Sequence, residues 1–182
     1  MPEWTVFIVA TAGLVYYSRA SLRVPESHGF SRFIAWELML ILFTLNMDGW
    51  FSSPLNLSQI VSGILMIVSL FFISIGYLSL RLFGMQDKKR SDPSLMVFEK
   101  TTRLVSHGIY RYIRHPMYSS LVFLDWGLFF KQMSWLSGSI ALSACLFLLL
   151  ATLAEERENI RYFGTQYQEY MKRSKRFVPF LL

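Results

Sequence analysis

The chain has 182 residues, of which 53% are apolar, 16% aromatic and only 16% charged. A water-soluble domain of this size carries about a quarter charged residues, because a small globule has much surface to cover, so soluble and disordered readings are excluded, and 10 Gly with a single Cys exclude collagen-like and disulfide-stapled classes too. In the membrane protein that remains, the net charge of +6 reports orientation and contact with anionic headgroups, not nucleic acid.

The N-terminal MPEWTVF has no basic region, and Glu3 has the wrong sign for a cleaved signal peptide. Trp4–Tyr17 is a short apolar run, closed by Arg19 and Arg23, and Phe33–Phe51 is the second. The connection Ser52–Ser58 leads to Ile60–Leu80, the third run. Polar residues 81–116 follow, then the short run Met117–Phe130, the turn Lys131–Trp135 and the run Leu136–Ala154. A membrane helix needs about 20 mostly apolar residues. Three runs reach or approach that length, and Ser, Trp and snorkelling Lys or Arg extend the other two. The expectation is an all-α integral membrane protein of one domain, 1–182, with five transmembrane helices. Three lie in residues 1–80; spans 4 and 5 form a tight hairpin in 81–182, and a C-terminal helix follows.

Five spans place 17 of the 18 Lys and Arg on one side and only Lys131 on the other. That asymmetry predicts an outside N-terminus and a cytoplasmic C-terminus. Trp4, Trp50 and Trp135 fall near span ends, as an interfacial aromatic belt requires, and Trp126 is less well placed.

The polar sequence able to build a site lies on the cytoplasmic side. After the charged, turn-like QDKKRSDPS comes LVSHGIYRYIRHPMYSS. Pro116 suits the first turn of span 4, with His115 at its N-cap, so free N–H groups at Met117–Ser119 flanked by Arg114 suit an anionic group. The same residues also read as positive-inside anchors (Arg103, Arg111, Arg114) and interfacial tyrosines (Tyr110, Tyr112, Tyr118). The second cluster is EERENIRYFGTQYQEYMKRSKRFVP. Two carboxylates, Glu155 and Glu156, disfavour a helix end there, so the helix is expected to run on to Phe163, with Gly164 as its cap. A solvated charged face is the alternative. The hairpin should bring His115–Tyr118 close to Glu155–Glu156, making a mixed-charge pocket at the membrane face.

Within the spans, Glu37, Asn46, Asp48 and Asp125 are polar outliers. Glu37 and Asp48 are expected near span ends, and Asp125 mid-span, either functional or paired with another span. No Rossmann, P-loop or nucleophile-elbow motif occurs, and His107, His115 and Glu155 make a poor zinc set, so no metal is expected. No G-x-x-x-G packing signature points to an oligomer.

LVSHGIYRYIRHPMY closely resembles the L-V-x-x-G-I-Y-x-x-x-R-H-P-x-Y signature of the isoprenylcysteine carboxyl methyltransferase family. EERENIRYFGTQYQEYMKRSKRFVP resembles that family's C-terminal E-E-x-x-L-x-x-x-F-G-x-x-Y-x-x-Y block. The match covers roughly Arg103–Pro179. It implies a polytopic methyltransferase using S-adenosylmethionine, with Arg103, Leu104, Val105, Tyr110, His115, Pro116, Tyr118 and Glu155 at cofactor-binding positions. No dedicated nucleophile is expected; Arg114 and Glu156 are the candidates for a catalytic part. The acceptor would be amphipathic or lipid-like and enter from the bilayer. Ser119-Ser120, Asn159 and Thr102 depart from the family pattern. So does Ala151, which stands where the family places a substrate-facing Arg, leaving an isoprenylcysteine carboxylate as one acceptor among several. The other readings are a sterol-reductase-like NADPH enzyme and a non-catalytic membrane interaction protein.

Overall fold

The structure is a computed structural model and describes residues 2–50, 56–84 and 101–177. Among these residues the fold is all-helical, with no strand: α1 (Pro2–Ser18), α2 (His28–Leu45), α3 (Leu57–Phe83), α4 (Pro116–Phe129), α5 (Trp135–Phe163) and α6 (Thr165–Arg173). The QDKKRSDPS stretch, Phe51, most of the Ser52–Ser58 connection and Pro179 lie outside the described residues.

α2, α3 and α5 are long and apolar enough to cross a membrane, and α1 is a shorter apolar helix. The 14 residues of α4 reach about 21 Å, short of the roughly 30 Å of hydrocarbon. Three of the five expected spans therefore have the length and composition to cross.

α3 has its polarity turned inside out. Its buried residues are Gln59, Ser62, Ser69, Gly76 and Ser79, while Ile60, Ile64, Ile67, Leu70, Phe71 and Leu78 are exposed. Lipid tails solvate such an apolar face, and small residues let helices approach closely. Ser62, Ser69 and Gly76 recur every seven residues and so share one face. Along it, Ser62 Oγ donates to the Gly127 carbonyl at 2.7 Å, and Phe72 stacks on Phe123 with centroids 5.4 Å apart. A methyl group added at Gly76 would lie 3.1 Å from Met117 Cγ.

The second seam joins α2 to α5. Ala141, Ala144, Leu148, Ala151 and Ala154 are buried on α5, and the first four pack with Ala35, Met39 and Leu42 of α2. Ser137 Oγ donates to Asn46 Oδ1 at 3.1 Å at one end, and His28 Nδ1 meets Glu158 Oε2 at 2.6 Å at the other. α4 and α5 form the expected hairpin, though α4 lies more extensively along α3.

α2 begins and ends earlier than the predicted 33–51. Ser27 caps it, accepting from the Phe30 N–H. His28 and Arg32 fit inside the helix because His28 is held by Glu158 and Arg32 lies 5.1 Å over the Trp36 ring. Asn46 follows its last turn, donating from Nδ2 to the Leu128 carbonyl at 2.8 Å. Glu37 thus sits mid-helix, not near an end, and accepts from Thr11 Oγ1 of α1 at 2.9 Å. Asp48 lies exposed in the Met47–Gly49 turn. Asp125 is fully buried and accepts from Cys145 Sγ at 3.4 Å, tying α4 to α5.

At the Lys131 end, Lys131 Nζ donates to Gln59 Oε1, while Gln59 Nε2 donates to the carbonyls of Gly49 and Lys131. These bonds join the α2–α3 and α4–α5 connections to the first turn of α3. At the opposite end α5 runs past Glu155-Glu156 to Phe163, as expected. Gly164, with φ 61°, turns the chain into α6.

Candidate functional site

A cleft opens where the C-terminal ends of α3 and α5 meet the start of α4. Its first wall is the Gly-Ile-Tyr turn, a 3-10 helix over Gly108–Arg111. Gly108 has φ 63°, and a Cβ there would stand 3.0 Å from Ser79 Oγ. Only glycine meets both conditions without strain. The turn is closed by the Tyr112 and Ile113 amides, which both donate to the Ile109 carbonyl. It buries Tyr110, whose carbonyl accepts from Tyr170 Oη at 2.6 Å.

The second wall is the start of α4, with Pro116 at its first position and His115 as N-cap. The third is α5, where Glu155, Asn159 and Phe163 recur every four residues and so line one face. α6 closes the cleft with Tyr167 and Tyr170, three apart and both buried. Tyr167 stacks on Phe163, with ring centroids 6.5 Å apart.

The hairpin brings together the groups expected to meet. His115 Nδ1 lies 3.7 Å from Glu155 Oε1, and Nε2 lies 3.4 Å from Glu156 Oε1. Arg114 Nε donates to Glu156 Oε1 at 2.9 Å, and Arg176 Nη2 donates to Oε2 at 2.7 Å. Glu156 lies beyond the apolar part of α5. Burial alone would raise its carboxyl, but contacts with His115 and Arg176 and the charge of Arg114 outweigh it and hold the group well below the usual carboxylate range. Burial and the nearby Glu155 push the Tyr167 phenol up, against a hydrogen bond with Asn159. Burial likewise raises Tyr170. Both tyrosines therefore stay neutral, and Tyr170 donates to the Tyr110 carbonyl.

Of the residues singled out from sequence, Leu104, Val105, Tyr110, Arg114, His115, Tyr118 and Glu155 line the cleft. Arg103 is exposed and does not line it. Pro116 is buried beneath it, against Gly76. Glu156 stands behind the wall as the hub of an ion-pair cluster, because three basic side chains converge on it. Arg114 is not left open for an anionic substrate: besides Glu156 it donates from Nη1 to the carbonyls of Met171 and Ser174.

Sequence reasoning missed Leu80, Phe163 and the inward side of Asn159, although for the two α5 residues the four-residue spacing from Glu155 contains the signal. It also missed Arg176, which no helical period connects to Glu156. Among the described residues, no group of three His, Cys, Asp or Glu is placed to hold a metal ion.

A search of curated proteins and of solved structures finds no match to the chain. The family model for phospholipid methyltransferases matches residues 57–166, more than half of the chain. The match contains all of α3, α4 and α5 and most of the cleft wall, and extends well N-terminal of the two motifs read from sequence. It favours the methyltransferase reading over the reductase and non-catalytic ones. On this match the chain belongs to the phospholipid methyltransferase family, whose members are membrane methyltransferases.

Proposed function

We infer that the protein transfers a methyl group from S-adenosylmethionine to an amine-bearing lipid at the cytoplasmic face of a membrane. The observation that carries this reading is the meeting of His115 and Glu155 in an aromatic-walled cleft at a membrane-helix end. The residues present fit such a donor. The buried His115 ring stands between Glu155 and Glu156, Glu155 offers a carboxylate at the cleft, and Tyr110, Tyr118, Phe163 and Tyr167 offer ring faces. His115 and the start of α4 would hold the donor's carboxylate, Glu155 its hydroxyls or ammonium group, and the tyrosines its adenine. The donor supplies a methyl group on a sulfonium, which needs no activation by the protein. The acceptor's ammonium group must first give its proton to solvent; the chain's task is then to align the neutral nitrogen with that methyl, so that the N–C bond forms as the S–C bond breaks and S-adenosylhomocysteine leaves.

The charge of the cleft favours an amine over a carboxylate as acceptor. Arg114 is held by Glu156, and Glu155 adds negative charge. Ala151, where the resembling family has its substrate-facing Arg, is fully buried in the α2–α5 seam with Ala35. A prenylcysteine carboxylate would meet no cation from that position. The short α1 and α4 complete five spans in this reading, and the chain is one domain over 1–182. The gathering of basic residues at the cleft end supports a cytoplasmic site.

The test is calorimetric titration of S-adenosylhomocysteine into the purified protein, beside His115→Ala and Glu155→Ala. Wild-type binding that both variants lose is expected. Labelled methyl transfer should then appear in phosphatidylethanolamine and not in a farnesylcysteine analogue. No binding by folded wild type would overturn the donor, and label only in the farnesylcysteine analogue would overturn the acceptor.

A further inference from the structure

The C-terminal segment after α6 does more than end the chain. Residues 174–177 lie as a strap across the start of α4, with a parallel bridge between Ile113 and Lys175. The Arg114 amide donates to the Lys175 carbonyl at 2.7 Å, and Lys175 N–H donates to the Tyr112 carbonyl at 2.9 Å. The His115 amide donates to the Arg176 carbonyl at 3.2 Å. Ser119 Oγ donates to the Phe177 carbonyl at 2.7 Å, and Phe177 packs on the cluster of Ala35, Tyr118, Leu148 and Ala151.

Arg176 joins the two halves of this arrangement. Its carbonyl holds the backbone of His115, while its guanidinium grips Glu156 through Nε at 3.1 Å and Nη2 at 2.7 Å. Glu156 is 5% exposed on its side chain and His115 is 2% exposed. Without Arg176, Glu156 Oε2 loses the donor it has, inside the protein. Arg114 Nε stays on Oε1 at 2.9 Å, and the next donor group is the His115 ring, 3.4 Å from Oε1. A buried carboxylate oxygen left without its donor is unfavourable, so it would draw that ring away from Glu155 and the cleft.

We propose that Arg176 is a positioning residue: by pairing with Glu156 it latches the strap across α4 and holds His115 against Glu155 for methyl-donor binding. Neither Arg176 nor Glu156 lines the cleft, so both act through His115. The inference rests on the methyl-donor reading above.

The experiment uses the full chain, wild type beside R176Q, R176K and the double variant E156Q/R176Q. Two quantities are read: calorimetric affinity for S-adenosylhomocysteine, and ligand-free hydrogen exchange at the Arg114 and His115 amides. R176Q should weaken binding by at least about tenfold and speed exchange at both amides. R176K should fall between R176Q and wild type, because a point charge neutralises Glu156 but does not bridge its two oxygens. The double variant should bind more tightly than R176Q, because the carboxylate that would draw the His115 ring is gone.

A merely structural strap would give a double variant no better than R176Q, and that result overturns the proposal. So does R176Q binding within about twofold of wild type with unchanged exchange. Wild type that fails to bind S-adenosylhomocysteine defeats the methyl-donor reading and this inference with it, whereas wild-type binding with an indifferent R176Q defeats the latch alone. Should R176Q not fold, the order wild type, R176K, double variant decides by the same logic.

Discussion

Tyr170→Phe removes one oxygen from the protein and tests how the cleft is held together. Tyr170 Oη donates to the Tyr110 carbonyl at 2.6 Å, joining α6 to the Gly-Ile-Tyr turn. Both residues are at least nine-tenths buried. A net hydrogen bond contributes about 1 kcal/mol, and a buried carbonyl left without its donor adds a penalty, so the total is about 1–2 kcal/mol. The loss falls on the local ordering of the turn. Hydrogen exchange at the Tyr112 and Ile113 amides, which close the turn onto the Ile109 carbonyl, should therefore speed by about 5- to 30-fold. Affinity for S-adenosylhomocysteine should fall by no more than the same factor. Unchanged exchange at those two amides would refute the claim that Tyr170 secures the turn. A fall in affinity beyond that factor would mean that the hydroxyl touches the ligand directly.

Three further outcomes are expected. Ala151→Leu should destabilise the protein by about 1–3 kcal/mol in thermal unfolding, because the position is fully buried against α2, whereas Leu142→Ala, on the exposed face of the same helix, should change little; equal effects would contradict the seam. Glu156 is held below the ordinary carboxylate range, so its stabilisation should be complete above about pH 4.3 and lost as pH falls below that through its folded value. Glu156→Gln should remove that acid limb from the stability profile, and an unchanged limb would assign it to other carboxylates. Leu70→Lys, on the exposed face near the middle of α3, should impair insertion by about 2.5–3.5 kcal/mol on a translocon scale, and unimpaired insertion would argue against lipid on that face.

Local signals located the helices well where composition changes sharply. Pro116 fixed the start of α4, and Gly164 marked the turn from α5 into α6. α2 was misplaced because its first turn carries His28 and Arg32, which look like loop residues until Glu158 and Trp36 are seen to hold them. The same shift moved Glu37 from a span end to mid-helix, beside Thr11. The short link between α4 and α5 foretold the meeting of His115 with Glu155, since two helices joined by so few residues must run side by side. The role of Arg114 was harder to read. Its positive charge suggested an open anion site, whereas Glu156 and two carbonyls hold it in the wall.

By itself, the sequence determined a helical membrane chain, the asymmetry of its basic residues, and two motifs that resemble a methyltransferase family. These depend on composition and on spacing along one helix or across one short turn, which are properties of neighbouring residues. Only the tertiary structure decided which face of α3 is buried, which side chains line the cleft, and that Arg176 meets Glu156 from twenty residues away. Those contacts depend on helix rotation and on the path of the strap, which residues far apart in the chain settle together.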